Sequence, residues 1–232
     1  MWIRNKVVHV YDIEIFPNVF HCCCKDTETN TIHKFEISER KNQLEELVDF
    51  FYYNSADKIF CGYNNHHYDD VIVNYIIDYH YKMSSLPYFE ICRSLFKLSQ
   101  CLVEDEEGSR EKVKRWKYAH YFYSMDLLTM QFSQKLRVGL KTMQVTMHYK
   151  NVYEYEGDFN QFLPSSEIDN MIEYNINDVE STAELLNRLQ GQIELRLFIE
   201  QEHGIDCLSM DSVKMAETFL LEEYSKKSGI PK

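Results

Sequence analysis

The sequence predicts an α/β fold with a mixed sheet, and three observations carry that expectation. Apolar runs of strand length crowd the first part of the chain. Helical periodicities interleave with them and then take over, with no internal repeat or low-complexity linker. The 232 residues are 44% hydrophobic but include only seven Gly and four Pro, a composition that can bury a substantial core.

Lys6–Phe16 is apolar at nearly every position, as a central strand covered on both faces requires. Residues 18–25 and 31–37 follow as two strands around the polar turn Asp26-Thr27-Glu28-Thr29-Asn30, a hairpin signal. Leu44, Leu47, Val48 and Phe51 recur at helical spacing within 42–53. Lys58–Gly62 reads as a short strand ended by Gly, and 69–81 resumes a helix. A second apolar helix is expected over 88–98, then an acidic turn over 104–109 and a strand-like stretch over 112–125. Residues 140–147 read as a short helix. The segment Pro164-Ser165-Ser166-Glu167-Ile168-Asp169 has helix-start chemistry, a Ser cap with an acid three residues on, and its helix should run to about Leu189. Residues 192–203 and 211–224, separated by Gly204, read as a C-terminal helical extension.

Composition excludes several classes of function. No window approaches the apolar length of a membrane span, and the opening residues carry no apolar leader, so a cytoplasmic protein is expected. The seven cysteines include three in a row (Cys22, Cys23, Cys24) but no C-x-x-C pair, which supports neither a structural zinc site nor a disulfide framework. A formal charge of −12 argues against a protein that coats duplex nucleic acid through a broad basic face. It leaves open a narrow cleft that holds a few nucleotides. Seventeen Tyr and fourteen Phe exceed what a core requires.

Asp12 and Glu14 lie two apart on the first long strand, so with Val8 and Val10 they share one face. Two carboxylates on an otherwise buried strand repel, and a divalent cation between them is the usual remedy. Spacing alone says little, since Asp26 and Glu28 repeat it in a solvated turn. Gly62-Tyr63-Asn64-Asn65-His66-His67-Tyr68-Asp69-Asp70 leaves a strand and opens a helix, which places Asp69 at the helix start beside the sheet; simple capping of that helix would also explain an acid there. Tyr174 and Asp178, four apart, stack on one helical face, while Ile168, Met171, Ile172, Asn175 and Val179 form the neighbouring, mostly apolar face that should meet the sheet.

Together these segments resemble the three motifs of the DEDD-superfamily 3′→5′ exonucleases in their tyrosine variant. They are most similar to the proofreading domain of phage-type family B DNA polymerases. The first motif is Asp12-Ile13-Glu14, the second runs from Gly62 to Asp69, and the third from Tyr174 to Asp178. Ser124-Met125-Asp126-Leu127-Leu128 and Leu140-Lys141 also resemble the middle of such domains. The likeness continues through 206–224 toward the segment that leads to a polymerase palm, with no palm or fingers sequence after it.

The resemblance implies a ribonuclease H-like mixed sheet flanked by helices, with 1–190 as the exonuclease domain and 191–232 as a helical extension. It implies two Mg²⁺ or Mn²⁺ ions held by Asp12, Glu14, Asp69 and Asp178, with Tyr174 orienting the attacking water. Asn64, Phe16 and Tyr68 fall where the family contacts terminal nucleotides. Asp70 matches no family position and is left as a cap or an outer group; His66 and His67 read as either metal ligands or, more often for adjacent histidines in a loop, surface residues. The basic run from Arg110 to Lys117, with Trp116, is either a solvated hairpin or a nucleic-acid groove. Implied partners are single-stranded DNA and an attached or recruited polymerase or other replication proteins, in the host cytoplasm for a phage-encoded chain. An exoribonuclease acting on RNA 3′ ends, and a non-catalytic nucleic-acid-binding module of the same fold, remain alternatives.

Overall fold

A computed structural model describes residues 1–104, 113–117, 119–132 and 138–229. Its sheet is built around the long apolar strand. β1 (Trp2–Ile3) turns back onto β2 (Lys6–Phe16) through Arg4 and Asn5, both at positive φ, as a two-residue hairpin needs. β3 (Val19–Asp26) and β4 (Ile32–Ile37) continue antiparallel. The expected helix over 42–53 forms as α1 (Leu44–Val48), running into a wider π-type turn over Asp49–Tyr53. The chain then returns as β5 (Lys58–Gly62), parallel to β2.

After a tight turn at Asn65–His67 come α2 (Asp69–Met83) and α3 (Tyr88–Glu104). Residues 113–117 are helical (α4), and β6 (Ser124–Asp126) adds a second parallel strand beside β5. α5 (Leu127–Gln131), α6 (Leu140–Thr146), α7 (Ile168–Arg188), α8 (Gln190–His203) and α9 (Ser212–Ser228) complete the chain. The strand order is β4-β3-β2-β5-β6, with β1 on β2, and the fold is α/β with a mixed sheet flanked by helices.

The period-2 alternation of β2 sorts its side chains between two cores. Tyr11, Ile13 and Ile15 pack under α1, α2 and α3 with Phe51 and Phe60, whose rings stack at 4.2 Å. Val8 and Val10 face the other way, with Cys23, Ile59 and Cys61, against Val179 and Leu186 of α7. Asp12 and Glu14 continue that second face, so they point toward α7. All seven cysteines are free thiols. Among the described residues no helix is long and apolar enough to cross a membrane.

Three expectations are corrected. The strand-like stretch over 112–125 is helical over 113–117 and extended only at Ser124–Asp126. Val113 is buried there, Trp116 packs edge-on to Tyr75 at 4.8 Å, and Asn74 ties off the carbonyls of Trp116 and Ala119. α3 extends to Glu104, and residues 105–109 of the expected acidic turn lie outside the described residues. Neither Ser165 nor Ser166 caps α7; they form a short 3₁₀ turn, and Glu167 and Asp169 supply negative charge at the helix start instead.

Candidate active site

Asp12 and Glu14 come from β2, Asp69 from the first residue of α2, and Asp178 from α7, which lies across β2 and β3. Asp69 does not cap its helix. Its Oδ1 accepts from the backbone N–H of Ile13 at 3.2 Å, which draws the start of α2 onto the strand between Asp12 and Glu14. Capping as the reason for an acid at this position is thereby replaced. Glu14, Asp69 and Asp178 are buried and Asp12 is half-buried.

The four carboxylates share one electrostatic environment. Burial raises the Asp12 and Glu14 carboxyls well above the usual carboxylate range. Their acidic neighbours raise them further: Asp69, Glu14 and Asp178 act on Asp12, and Asp178 and Asp69 act on Glu14. Asp69 is pushed up to about 8, mainly by burial and then by Asp70. Tyr174, on the same helical face as Asp178, has its hydroxyl raised by burial and by Asp178, Glu14 and Asp12, so it stays protonated.

Several groups besides the four carboxylates and Tyr174 hold this cluster, and of these Gln144 and His21 carried no signal in the sequence. Lys141 of α6 pairs with Asp178 and lies 4.5 Å from the centre of the Tyr174 ring. Gln144, one turn on, donates to Asp178 Oδ1 at 3.0 Å and to Ser181 at 2.8 Å. Asn175 Nδ2 donates to Asp12 Oδ2 at 2.6 Å, and its Oδ1 meets His21 Nδ1 at 2.7 Å. Burial holds His21 neutral by lowering its pKa to about 4. The i, i+3 spacing of Lys141 and Gln144 could have flagged a shared face, but nothing local says which face meets Asp178.

The second-motif loop is fixed by buried Asp126, which accepts from the backbone N–H groups of Asn64 (2.9 Å) and His66 (3.3 Å) while capping α5. Asn64 sits at φ +66 and makes the turn. Asp70 accepts from the Tyr11 hydroxyl and from Asn65 Nδ2, an anchoring role, and His66 Nε2 lies 3.8 Å from it. His67 closes the short turn that follows Asn64.

A cleft of about 380 Å³ opens beside Glu14, lined by Tyr68, Phe96, Gln100, Phe159 and Asn160 among others. Tyr68 contributes its ring to the cleft, and its hydroxyl bonds Ser99 at 2.5 Å. Phe16 is corrected: only 1% exposed, it stacks on Phe159 at 4.9 Å, so Phe159 presents the aromatic face to the cleft. Trp116 is likewise a packing residue. Its indole donates to Asp78, which also accepts from Arg115, while residues 110–112 of the basic run lie outside the described residues.

Among the described residues no three His, Cys, Asp or Glu side chains stand as a ready coordination sphere. Hydrogen bonds explain this, because Asn175, Ile13 and Lys141 each hold one of the four carboxylates. The donor set nonetheless fits a hard divalent cation: all-oxygen, anionic, buried and mutually repelling. Comparison of the chain with protein-family models, curated proteins and solved structures finds no match.

Proposed function

We propose that the chain is a metal-dependent 3′→5′ exonuclease of ribonuclease H-like fold, hydrolysing single-stranded DNA from its 3′ end. One observation carries the reading. Carboxylates from three segments far apart in sequence come into one electrostatic cluster, and one of them, Glu14, lines an aromatic cleft of nucleotide size. The mixed sheet flanked by helices supports the fold assignment.

Asp12, Glu14, Asp69 and Asp178 would hold Mg²⁺ or Mn²⁺, which when bound supplies Lewis-acid charge at the scissile phosphodiester. The chain's own groups do the rest. Tyr174, kept protonated, orients a water by a hydrogen bond and does not act as a base. Lys141 supplies a fixed positive charge next to Asp178 that offsets charge developing on the phosphate. Phe159, Phe96 and Tyr68 offer the faces on which an unpaired base stacks. A broad basic groove is unnecessary for a substrate gripped at its last nucleotides, which accommodates the net charge of −12.

The test is a 5′-labelled oligonucleotide, as DNA and as RNA, incubated with Mg²⁺, Mn²⁺ or EDTA. A descending ladder from the DNA, abolished by EDTA, is the expected result. Loss of the 5′ label as a single short product, or indifference to EDTA, would refute it. A ladder from RNA alone would reassign the substrate.

A further inference from the structure

We infer that His21 is a positioning residue for Asp12, acting through the side-chain amide of Asn175. The inference rests on the nuclease reading above and concerns His21, which lies outside its motifs. His21 lies on β3 directly opposite Glu14, on the sheet face that meets α7. It and Asn175 are fully buried, at 0% exposure each.

With Asp12 ionised, as cation binding requires, the geometry fixes the proton directions: Asp12 Oδ2 accepts, so the Asn175 group 2.6 Å away is its NH₂, and the amide oxygen faces His21. His21 must therefore donate through Nδ1–H. The other ring nitrogen, Nε2, has no partner among the described residues, which agrees with its carrying no proton, because a bare acceptor is cheaper there than a stranded donor. The Nδ1–H tautomer satisfies both contacts, whereas the alternative breaks the one between His21 and Asn175 and strands an Nε2–H donor.

The consequence falls on Asp12. With its oxygen pinned by His21, the Asn175 amide cannot turn over and present that oxygen to the carboxylate. Asp12 Oδ2 is thus held by the Asn175 amide, and Oδ1 is the oxygen left for a cation. A wall built only for stability would place an apolar side chain at 21, since the residues that share its face of β3 are Val19 and Cys23, both buried.

The test uses the full chain as wild type, His21→Phe and His21→Asn. Phenylalanine keeps a ring and removes the donor; asparagine carries an amide nitrogen where histidine carries Nδ1. In ¹⁵N spectra of the wild type, the His21 ring, assigned by its absence from His21→Asn, should be neutral and protonated at Nδ1. A ring protonated at Nε2 overturns the inference. Mn²⁺ titrations followed by melting temperature and by Mn²⁺ spin resonance should show the midpoint in His21→Phe raised about 10-fold or more, within the ~10–100-fold range for loss of such outer partners. His21→Asn should recover most of that loss. A folded His21→Phe with the wild-type midpoint overturns the inference; if that variant does not fold, a His21→Asn midpoint displaced as far as in Asn175→Leu does so. A wild type that neither binds Mn²⁺ nor shortens DNA instead overturns the nuclease reading, which the ladder assay identifies separately.

Discussion

Replacing Asp69 by Asn should stabilise the metal-free protein while abolishing nuclease activity. Burial and Asp70 hold Asp69 at about 8, against 3.8 for the unperturbed side chain. At pH 7 the unfolded chain has released this proton and the folded chain retains it. Folding is therefore opposed by about 1.4 kcal/mol for each of roughly three pH units, on the order of 4 kcal/mol in all. Asparagine is neutral in both states, and its Oδ1 can still accept from the Ile13 N–H. Relaxation around an ionised carboxylate lowers the gain, so about 2–4 kcal/mol is expected. For a chain of this size that corresponds to a melting temperature in EDTA higher by about 5–15 °C.

The pH dependence has a definite sign. Between about 4 and 8 the native wild type binds a proton that the unfolded chain has lost, so its stability falls as pH rises through that window. The variant should lose this slope by about one proton. His21 acts oppositely: held at about 4 against 6.5, it makes both proteins less stable on acidification below 6.5, and it cancels in the difference. Urea titrations in EDTA at several pH values measure the slopes. Parallel curves between about pH 5 and 8, or a variant less stable than wild type at the alkaline end, would refute the reasoning. Added Mn²⁺ should narrow the gap, since it stabilises the wild type by RT ln(1 + [L]/Kd) and the variant less.

Three further outcomes follow from the same geometry. Alanine at Asp12, Glu14 or Asp178 should abolish the ladder, whereas Tyr174→Phe, which removes one hydrogen bond, should slow single-turnover cleavage by about 10–100-fold; a fully active Asp178→Ala would remove α7 from the site. Lys141→Met removes the cation paired with buried Asp178, leaving it neutral donors such as Gln144, and should destabilise the protein in EDTA by about 1–3 kcal/mol, read by urea denaturation; an unchanged midpoint would mean the ion pair contributes nothing. Gly62→Ala would bring a Cβ to 2.7 Å from the Cβ of buried Asn65, so it should displace the turn leading to Asp69, with loss of about 1–3 kcal/mol and of Mn²⁺ binding; a variant matching wild type in both would show that the turn yields freely.

Local periodicity carried a good part of the fold and the placement of the candidate-site carboxylates. The alternation in β2 assigns Asp12 and Glu14 to one face, and that face meets α7. The helical spacing of Ile168, Met171, Asn175 and Val179 identifies the side of α7 that is buried against the sheet. Gly62 followed by a loop and Asp69 locates the strand-to-helix turn. Such patterns are legible because backbone geometry alone fixes which neighbours share a face. What only the tertiary structure decided is the partner each group meets across the chain. Asn175 reaches Asp12 over 163 residues and His21 over 154, and Lys141 closes on Asp178 from a separate short helix. Phe16 is buried beneath Phe159, and Asp69 turns from its own helix to the amide of Ile13, for the same reason. Packing and the repulsion of clustered carboxylates set these choices, and both depend on contacts between segments that no local spacing encodes.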